Sequence, residues 1–348
     1  MPTIKSFKKV GSILPLLAIL FTQALALTPQ ELLKKAQESN LRPLPTEKET
    51  QQLQNQRIQD LKTGHKSLMT PTQIELGKKL YFDLRLSKDN LTSCNTCHNL
   101  ATGGTDGNPT AQARIYQPHL KERNTPTTYN SIFNDIEDWA GRTHLLTASK
   151  EEQDLIIKKL TTNPQYLNEF KKAYGNSVEI TPALIADTIA MFETLLITPT
   201  RYDDFLLGNI KALSKQEQEG LELFIDRGCV SCHSGINLGG GERELDSTQG
   251  YSFSKIAKNG KVKIPTLRNI TETMPYFHDG RFDSLNDAIK VMSPKDAPLS
   301  QEEVQKIRVF FETLAGAKPQ IIYPILPPNP SEESKIPQAK TTKTKGKK

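Results

Sequence analysis

Apolar residues recur at spacings of three and four along much of this chain, which is the pattern of amphipathic α-helices. One helix is predicted after Thr70-Pro71, because threonine caps helices and proline suits the first helical position. Others are predicted over residues 151–160 and 163–174, and a strongly apolar helix follows Thr181-Pro182 and ends before Thr198-Pro199-Thr200. Strand-like alternation is scarce. The pattern therefore predicts a mainly α fold with little strand.

The second half of the chain repeats the order of the first. A capping box, Ser214-Lys215-Gln216-Glu217, opens a helix in the position that the Thr70-Pro71 helix holds in the first half. Downstream, Arg123-Asn124-Thr125-Pro126-Thr127 is echoed by Ile264-Pro265-Thr266-Leu267-Arg268-Asn269. A further capping box begins a last helix at Ser300. These similar offsets predict a duplication, with two related helical domains in tandem.

Residues 1–26 have the features of a secretory signal peptide. Lys5, Lys8 and Lys9 form a positive start, an apolar run follows, and Ala24-Leu25-Ala26 is a small-x-small cleavage site. The alternative is an uncleaved anchor, but the run is shorter than the ~20 apolar residues that a spanning helix needs. The sequence therefore predicts export, cleavage and no transmembrane span in the mature chain.

The ends of the chain carry most of its positive charge. The net charge is +6, yet three lysines lie in the signal and the tail, residues 326–348, is rich in lysine, so the body between is nearly neutral. A neutral body does not indicate nucleic-acid binding. The tail is predicted to be a disordered solubilising end, with docking to a membrane surface or a partner as the alternative. The polar residues 27–69 are predicted to form a loosely packed N-terminal extension, in which Thr28-Pro29 starts a short helix.

All four cysteines belong to two copies of one pentapeptide, Cys94-Asn95-Thr96-Cys97-His98 and Cys229-Val230-Ser231-Cys232-His233. C-x-x-C-H is the attachment signature of a c-type haem. Two thiols add to the vinyl groups of the porphyrin, and the adjacent histidine binds the iron. The sequence therefore predicts two covalently bound haem c groups, one in each of two cytochrome-c-like domains.

Other uses of a C-x-x-C pair fit less well. The pair could be a thiol redox site, half of a zinc site or a local disulfide. A zinc ribbon places its second pair within about 15–20 residues, whereas these pairs lie far apart, and a redox pair needs no histidine after it. Covalent haem attachment takes place outside the bacterial cytoplasm. Together with the signal, the motifs therefore predict a periplasmic protein.

The sixth ligand of each iron decides what the haem can do. A methionine there raises the reduction potential and closes the iron to substrates, whereas an open or displaceable position admits peroxide. Outside the two motifs, the candidate histidines are His65, His119, His144 and His278.

Several further motifs occur in a fixed order over about residues 70–315. They are Leu76-Gly77-Lys78-Lys79-Leu80-Tyr81-Phe82-Asp83, Arg85-Leu86-Ser87, Gly103-Gly104-Thr105-Asp106-Gly107, Arg123-Asn124-Thr125-Pro126, Trp139-Ala140-Gly141-Arg142, Pro265-Thr266-Leu267-Arg268-Asn269 and Pro275-Tyr276-Phe277-His278-Asp279-Gly280. In this order they resemble the bacterial di-haem cytochrome c peroxidases, a family that includes the methylamine-utilisation di-haem relatives.

The resemblance implies a division of labour between the two haems. Residues 70–200 would hold the low-potential peroxidatic haem, and residues 201–325 would hold the high-potential haem at which electrons enter. Met292 would be the sixth ligand of this second iron, with Met274 as the rival. The resemblance also implies a homodimer, because members of the family commonly dimerise.

The resemblance implies two further features between the domains. Trp139 would lie between the haems and shorten electron tunnelling, with a buried structural role as the alternative. A Ca²⁺ ion would be bound by the Asn124 side chain, by the Thr273 and Pro275 carbonyl oxygens and by water. Oxygen ligands of this kind suit Ca²⁺.

The sequence departs from the family pattern on the distal side of the first haem. His119 lies near the position of the family's displaceable ligand but closer to Arg123-Asn124 than expected, so it is either that ligand or a surface histidine. The family's segment with the acid–base glutamate is missing. His144 or Glu151 could replace this glutamate in moving the peroxide proton, or both could face solvent.

Three functions follow from these observations. The first is peroxidase activity, in which hydrogen peroxide is reduced to water with electrons from a small cytochrome c or a cupredoxin. The second is di-haem electron transfer without peroxidase turnover, which the missing glutamate segment favours. The third is oxidation of a partner protein, as in the methylamine-utilisation relatives, and Met292 argues against it because those enzymes have tyrosine as the ligand.

Overall fold

The structure is a computed structural model that describes residues 27–46, 48–50, 52–53, 69–111, 123–135, 148–244, 247–248, 251–252, 261–293 and 296–328. The predicted signal peptide and most of the lysine-rich tail lie outside these residues. The helices are α1 (Pro29–Glu38), α2 (Pro71–Phe82), α3 (Cys94–Cys97), α4 (Lys150–Thr161), α5 (Pro164–Tyr174), α6 (Pro182–Glu193), α7 (Arg201–Leu206), α8 (Lys215–Asp226), α9 (Leu285–Met292) and α10 (Gln301–Glu312).

Strand is confined to two short antiparallel pairs in the described residues. In one, β1 (Glu242–Glu244) pairs with β4 (Lys261–Lys263) so that Glu242 lies opposite Lys263. In the other, β2 (Ser247–Thr248) pairs with β3 (Tyr251–Ser252). The mainly α prediction is confirmed. None of the helices in the described ranges combines the length and the apolar character that crossing a bilayer requires.

The helices begin where the capping signals predict. The hydroxyls of Thr70, Ser214 and Ser300 each accept a hydrogen bond from the third backbone N–H of the following helix. The glutamine or glutamate at that third position bonds back to the cap, which completes a capping box. A cap of this kind contributes about 1 kcal/mol to helix stability. The helix positions were therefore readable from local chemistry.

Each half of the chain builds a core around one close helix crossing. In the first half, α2 packs on α6, and α4 and α5 complete a core that includes Leu80, Tyr166 and Phe170. In the second half, α8 packs on α10. A Cβ atom at Gly220 of α8 would lie 2.2 Å from the Lys306 carbonyl oxygen of α10. A glycine is therefore what allows these two helices to approach so closely.

Two equivalent turns, one in each half of the chain, are joined through the side chain of Thr198. Asn130 lies four residues after Pro126 and Asn269 four residues after Pro265, and both have left-handed backbones, with φ of 57° and 58°. The side-chain amides of both donate hydrogen bonds of 2.8 Å to the hydroxyl oxygen of Thr198, which is buried. This shared geometry agrees with a duplicated unit.

The N-terminal segment is packed rather than loose. Helix α1 buries Leu32 and Ala36 against the core of the second half, and Leu41 is buried with them. The backbone N–H of Leu44 donates to the Asp203 carboxylate at 2.7 Å. The prediction of a loosely packed extension is therefore wrong for residues 27–44. These few apolar residues bury their surface against a partner far away in sequence.

After α10 the chain returns to the first half. This return segment, residues 318–328, places the Tyr323 ring 4.8 Å from the Phe82 ring, edge to face. The Asn163 side chain donates to the Pro328 carbonyl oxygen at 2.9 Å, and the Arg85 guanidinium donates to the carbonyl oxygen of Pro327. The end of the second half is thus anchored on the core of the first.

Candidate haem sites

The second C-x-x-C-H motif opens onto a cavity of about 330 Å³. Cys229, Cys232, His233 and Met292 all line it, and most of the remaining wall is apolar. Met292 is the last residue of α9. Met274 does not line this cavity, and 51% of its surface is exposed, compared with 38% for Met292. Of the two candidate methionines, Met292 is therefore the one on the cavity that holds the second motif.

A hydrogen bond orients the histidine of the second motif. The ring Nδ1 of His233 lies 3.0 Å from the Leu238 carbonyl oxygen, which can only accept, so Nδ1 carries the proton and Nε2 keeps the lone pair. Burial lowers the pKa of His233, which favours the neutral imidazole that a metal needs. Leu238 has φ of 44°, a left-handed conformation that is unusual for a bulky residue. This strained backbone presents the accepting carbonyl.

Cys94 and Cys229, which are partly buried, have the character of neutral thiols. Burial raises the pKa of Cys229 to about 11 and that of Cys94 to about 12. All four cysteines lie in described residues, and none of them forms a disulfide. A buried neutral thiol differs from the thiolate that zinc binding requires. Once it is added to a vinyl group, it becomes an apolar thioether that suits these surroundings. The donor set and the apolar wall therefore fit a haem c.

The first motif folds in a similar way. Helix α3 closes its single turn with a 2.8 Å bond from the His98 N–H to the Cys94 carbonyl oxygen. Nδ1 of His98 donates to the Pro126 carbonyl oxygen at 2.9 Å, which again leaves the lone pair on Nε2. The buried Tyr81 of α2 donates its hydroxyl to the His98 carbonyl oxygen at 2.6 Å. Both histidines thus have the tautomer that iron ligation requires.

Residues 124–127 contact both sites. The Pro126 carbonyl accepts the His98 hydrogen bond, and all four residues also line the cavity of the second motif. Asn124 fastens this segment to the second half, because its N–H donates to the His278 carbonyl oxygen and its side-chain amide to the Pro275 carbonyl oxygen, both at 2.6 Å. The segment therefore connects the two sites within a few bonds.

The other predicted site residues have different outcomes. His119, Trp139 and His144 lie outside the described residues. Glu151 is exposed in the first turn of α4. Of the residues predicted to bind Ca²⁺, Asn124 contacts Pro275 directly, and Thr273 lines the same cavity as both. Among the described residues, no group of three or more His, Cys, Asp or Glu side chains could hold a metal ion.

Sequence reasoning missed Tyr81 and Leu238, which position the motif histidines. Their roles depend on bonds to or from backbone atoms, which leave no residue pattern. Tyr81 belongs to a recognised motif, but nothing in the sequence indicates that its hydroxyl reaches His98.

The helical fold and the two C-x-x-C-H sites define a di-haem c-type cytochrome. A model of the di-haem cytochrome c peroxidase family matches residues 71–211. The cytochrome c551 peroxidase of Pseudomonas aeruginosa is 32% identical over 368 aligned residues, which cover 92% of this chain and 99% of that protein. The chain therefore belongs to the di-haem cytochrome c peroxidase family, and the family implies two haem c groups.

Further similarities agree. A cytochrome c551 peroxidase of Nitrosomonas europaea is 38% identical and covers 73% of this chain and 83% of its own length. The methylamine utilization protein MauG of Methylorubrum extorquens is 27% identical, covering 74% and 82%. These relatives confirm the predicted family and the prediction of an enzyme of the cytochrome c peroxidase type.

A solved structure resembles the fold. The crystal structure of a MauG-like protein associated with microbial copper homeostasis matches 71% of this chain and 90% of its own, with a TM-score of 0.57 and 22% identity. At this identity the likeness bears on the fold alone.

Proposed function

We propose that this protein reduces hydrogen peroxide to water with electrons from a small cytochrome c or a cupredoxin. The observation that carries the proposal is the cavity that Cys229, Cys232, His233 and Met292 line together. It supports a second haem whose iron is closed by methionine and suited to electron entry. The names of the peroxidase relatives support peroxide as the substrate.

Two haem sites match the electron count of the reaction. One peroxide takes up two electrons and two protons to give two waters, whereas each donor delivers a single electron. The haems supply the irons that hold these electrons and at which peroxide is cleaved. His98 and His233 each keep Nδ1 protonated on a backbone carbonyl, and their Nε2 lone pairs would hold the irons.

The proposal assigns different tasks to the two sites. Met292 lines the cavity of the second motif and would be the residue that closes the second iron to peroxide access, so peroxide would be excluded there. The first site takes the peroxide, and residues 124–127 separate the two sites by a short stretch of backbone. His119, His144 and Glu151 are the proposed distal candidates for iron capping and proton movement, and Trp139 is the proposed bridge.

Stopped-flow and steady-state assays with the di-haem protein test the proposal. Reduced cytochrome c and, separately, a reduced cupredoxin are offered with peroxide, before and after partial pre-reduction of the enzyme. We expect two donor molecules to be oxidised per peroxide. A rate no higher than that of a free haem peptide, in both states and with both donors, would reject the peroxidase and favour electron transfer alone.

Covalent attachment, location and assembly are further elements of the proposal. The mature protein is expected to start after Ala26, to carry the mass of two haems and to occur in the periplasm as a homodimer. Intact mass measurement, a pyridine haemochrome assay, cell fractionation and light scattering test these expectations separately. One haem per chain would contradict the two-site mechanism.

We further propose a Ca²⁺ ion at Asn124, Thr273 and Pro275. The Asn124 side-chain N–H donates to the Pro275 carbonyl oxygen, which places the two residues side by side. The amide oxygen of Asn124 and the carbonyl oxygens are ligands that Ca²⁺ accepts. Water would have to supply the rest of the six to eight ligands. Metal analysis before and after chelation, followed by the haem spectra, tests this site. Protein that holds no calcium at millimolar Ca²⁺ would exclude it.

A further inference from the structure

Three aromatic side chains form a continuous line from the first motif to the surface. The Tyr81 hydroxyl donates to the His98 carbonyl oxygen at 2.6 Å, and Cys94 packs against the apolar cluster that contains Tyr81. The Phe82 ring lies 5.4 Å from the Tyr81 ring and 4.8 Å from the Tyr323 ring of the return segment, measured between centroids. Both pairs meet edge to face, at distances typical of aromatic contacts. We call these three residues the aromatic ladder.

The two tyrosines of the aromatic ladder differ in what can take up their protons. Tyr81 is fully buried, and its hydroxyl faces a backbone carbonyl, which accepts a hydrogen bond but is not a base. Burial raises the pKa of Tyr81 well above its usual value. Tyr323 is 59% exposed, so water can receive its phenolic proton. Because a phenol that loses an electron is stabilised when it also loses its proton, an oxidising equivalent is more stable on Tyr323 than on Tyr81.

A third tyrosine near the first motif offers no such exit. Tyr129 belongs to the same apolar cluster as Tyr81, is only 1% exposed and donates its hydroxyl to the Leu100 carbonyl oxygen. Burial raises the pKa of Tyr129 to about 12. Of Tyr81, Tyr129 and Tyr323, the last is therefore the one from which a proton can pass directly to solvent.

The electron count of peroxide reduction leaves a task for such a residue. Peroxide takes up two electrons and two protons to give two waters. Protein that holds a single electron at its second site supplies one of them from there, and without a donor the other leaves the first site one electron short. Tyr323 can replace that electron. It then releases one proton and remains as a neutral phenoxyl radical, while solvent supplies the second proton of the waters.

We propose that the aromatic ladder carries an oxidising equivalent from the first site to Tyr323 when no electron donor is bound, and that Tyr323 is a surface site of one-electron oxidation. The electron moves from Tyr323 past Phe82 and Tyr81 to the first site, and the phenolic proton passes to water. The inference rests on the proposed function, because it requires peroxide to be reduced at the first site. It makes Tyr323 a site of covalent oxidative modification.

Peroxide added to half-reduced protein in the absence of donor tests the inference. Freeze-quench electron paramagnetic resonance detects a phenoxyl radical, and a nitrone spin trap followed by peptide mass mapping locates it. We expect a tyrosyl signal in wild-type protein and a trap adduct on Tyr323. Tyr323→Phe keeps a ring against Phe82 and removes the ionisable hydroxyl, so the adduct at this position should vanish and the radical signal should fall severalfold.

Two variants and one added reagent complete the test. Phe82→Leu removes the middle ring and keeps an apolar side chain, so the radical should appear severalfold more slowly. Tyr174→Phe is the matched control, because it removes a tyrosine hydroxyl of the first half that lies outside the aromatic ladder and is bonded to the Thr188 hydroxyl. It should leave signal and adduct unchanged. Reduced cytochrome c should suppress the adduct, since its electrons replace those of Tyr323.

The outcomes separate this inference from the proposed function. If half-reduced wild-type protein does not consume peroxide, the proposed function fails, and the inference fails with it. If the protein consumes peroxide but forms no tyrosyl radical, carries the adduct on another tyrosine, or gives the wild-type signal in Tyr323→Phe, the proposed function stands and this inference is overturned.

Discussion

At the scale of single residues, the two methionines after the second motif lie in different surroundings. Met292 lines the cavity with His233, whereas Met274 does not line it and is half exposed. We expect Met292→Leu to abolish the thioether-to-iron charge-transfer absorption of the oxidised protein and to lower the reduction potential of the C-terminal haem, because a methionine ligand raises it. Optical redox titration measures both.

Met274→Leu is the matched control for this substitution. It removes the same kind of side chain four residues from His278 and should leave spectrum and potential unchanged. Loss of the absorption band in Met274→Leu, with Met292→Leu unaffected, would exchange the roles of the two residues.

A buried ion pair holds the second half together. The guanidinium of Arg268 donates to both carboxylate oxygens of Asp203, at 2.7 and 3.0 Å, and both side chains are almost fully buried. The same carboxylate also accepts from the Leu44 and Thr200 backbone N–H groups. We expect Asp203→Ala to lower the free energy of unfolding by about 3–5 kcal/mol, because it leaves a buried arginine without its charge partner.

Chemical denaturation measures this loss in the free energy of unfolding. An exposed ion pair provides the matched control. Arg308 and Glu312 lie 3.0 Å apart on the surface of α10, and Glu312→Ala should cost less than about 1 kcal/mol. Equal losses for the two variants would show that burial of the Arg268 pair does not matter.

The sequence predicted site residues whose chemistry depends on residue type. Cys229 and His233 could be predicted because thioether formation and iron ligation require those side chains, and Met292 could be predicted from its position in the family pattern. Tyr81 and Leu238 could not, because the role of each depends on a hydrogen bond with a backbone carbonyl that only the folded chain defines.

At the scale of helices, a glycine sets the distance between α8 and α10. Alanine in place of Gly220 would gain up to about 1 kcal/mol of helix propensity. Its Cβ would nevertheless lie 2.2 Å from the Lys306 carbonyl oxygen and 2.9 Å from the Phe310 Cβ. We expect Gly220→Ala to be destabilising by about 1–3 kcal/mol, since overpacking outweighs propensity.

Thermal and denaturant unfolding measure the effect of Gly220→Ala. Gln216→Ala, at an exposed position of the same helix, is the control and should change stability by less than about 0.5 kcal/mol. A stabilised Gly220→Ala protein would mean that the two helices can separate at no cost.

Helix starts could be read from the sequence, but helix partners could not. The caps at Thr70, Ser214 and Ser300 act within one turn, so local sequence contains them. The docking of α1 depends on a groove formed by residues about 170 positions later, as the contact of Gln37 with the Leu206 carbonyl illustrates. No pattern inside a short polar helix indicates such a partner.

At the scale of the whole molecule, the return segment ties the end of the chain to the first core. Truncation after Ala317 removes the Tyr323–Phe82 contact and the bonds to Pro327 and Pro328. One aromatic pair and two hydrogen bonds together contribute about 2–4 kcal/mol. We expect calorimetry to show a lower midpoint temperature for unfolding of the first half, because its core loses these contacts.

Truncation after Pro330 is the control for this experiment, because it removes lysine-rich residues and retains the return segment. It should unfold as the full chain does. If the shorter truncation also left the transition unchanged, the return segment would lie on the first core without stabilising it.

The stretch of residues 124–127 has a consequence for how the two irons can be measured. Its Pro126 carbonyl accepts from the histidine of the first motif, and its four residues line the cavity of the second motif. A charge gained at the iron of either motif would therefore alter the surroundings of the other iron through the atoms of this shared segment. Redox titration curves of this protein should not decompose into two independent Nernst components, and a midpoint quoted for one centre has meaning only with the oxidation state of the other stated beside it.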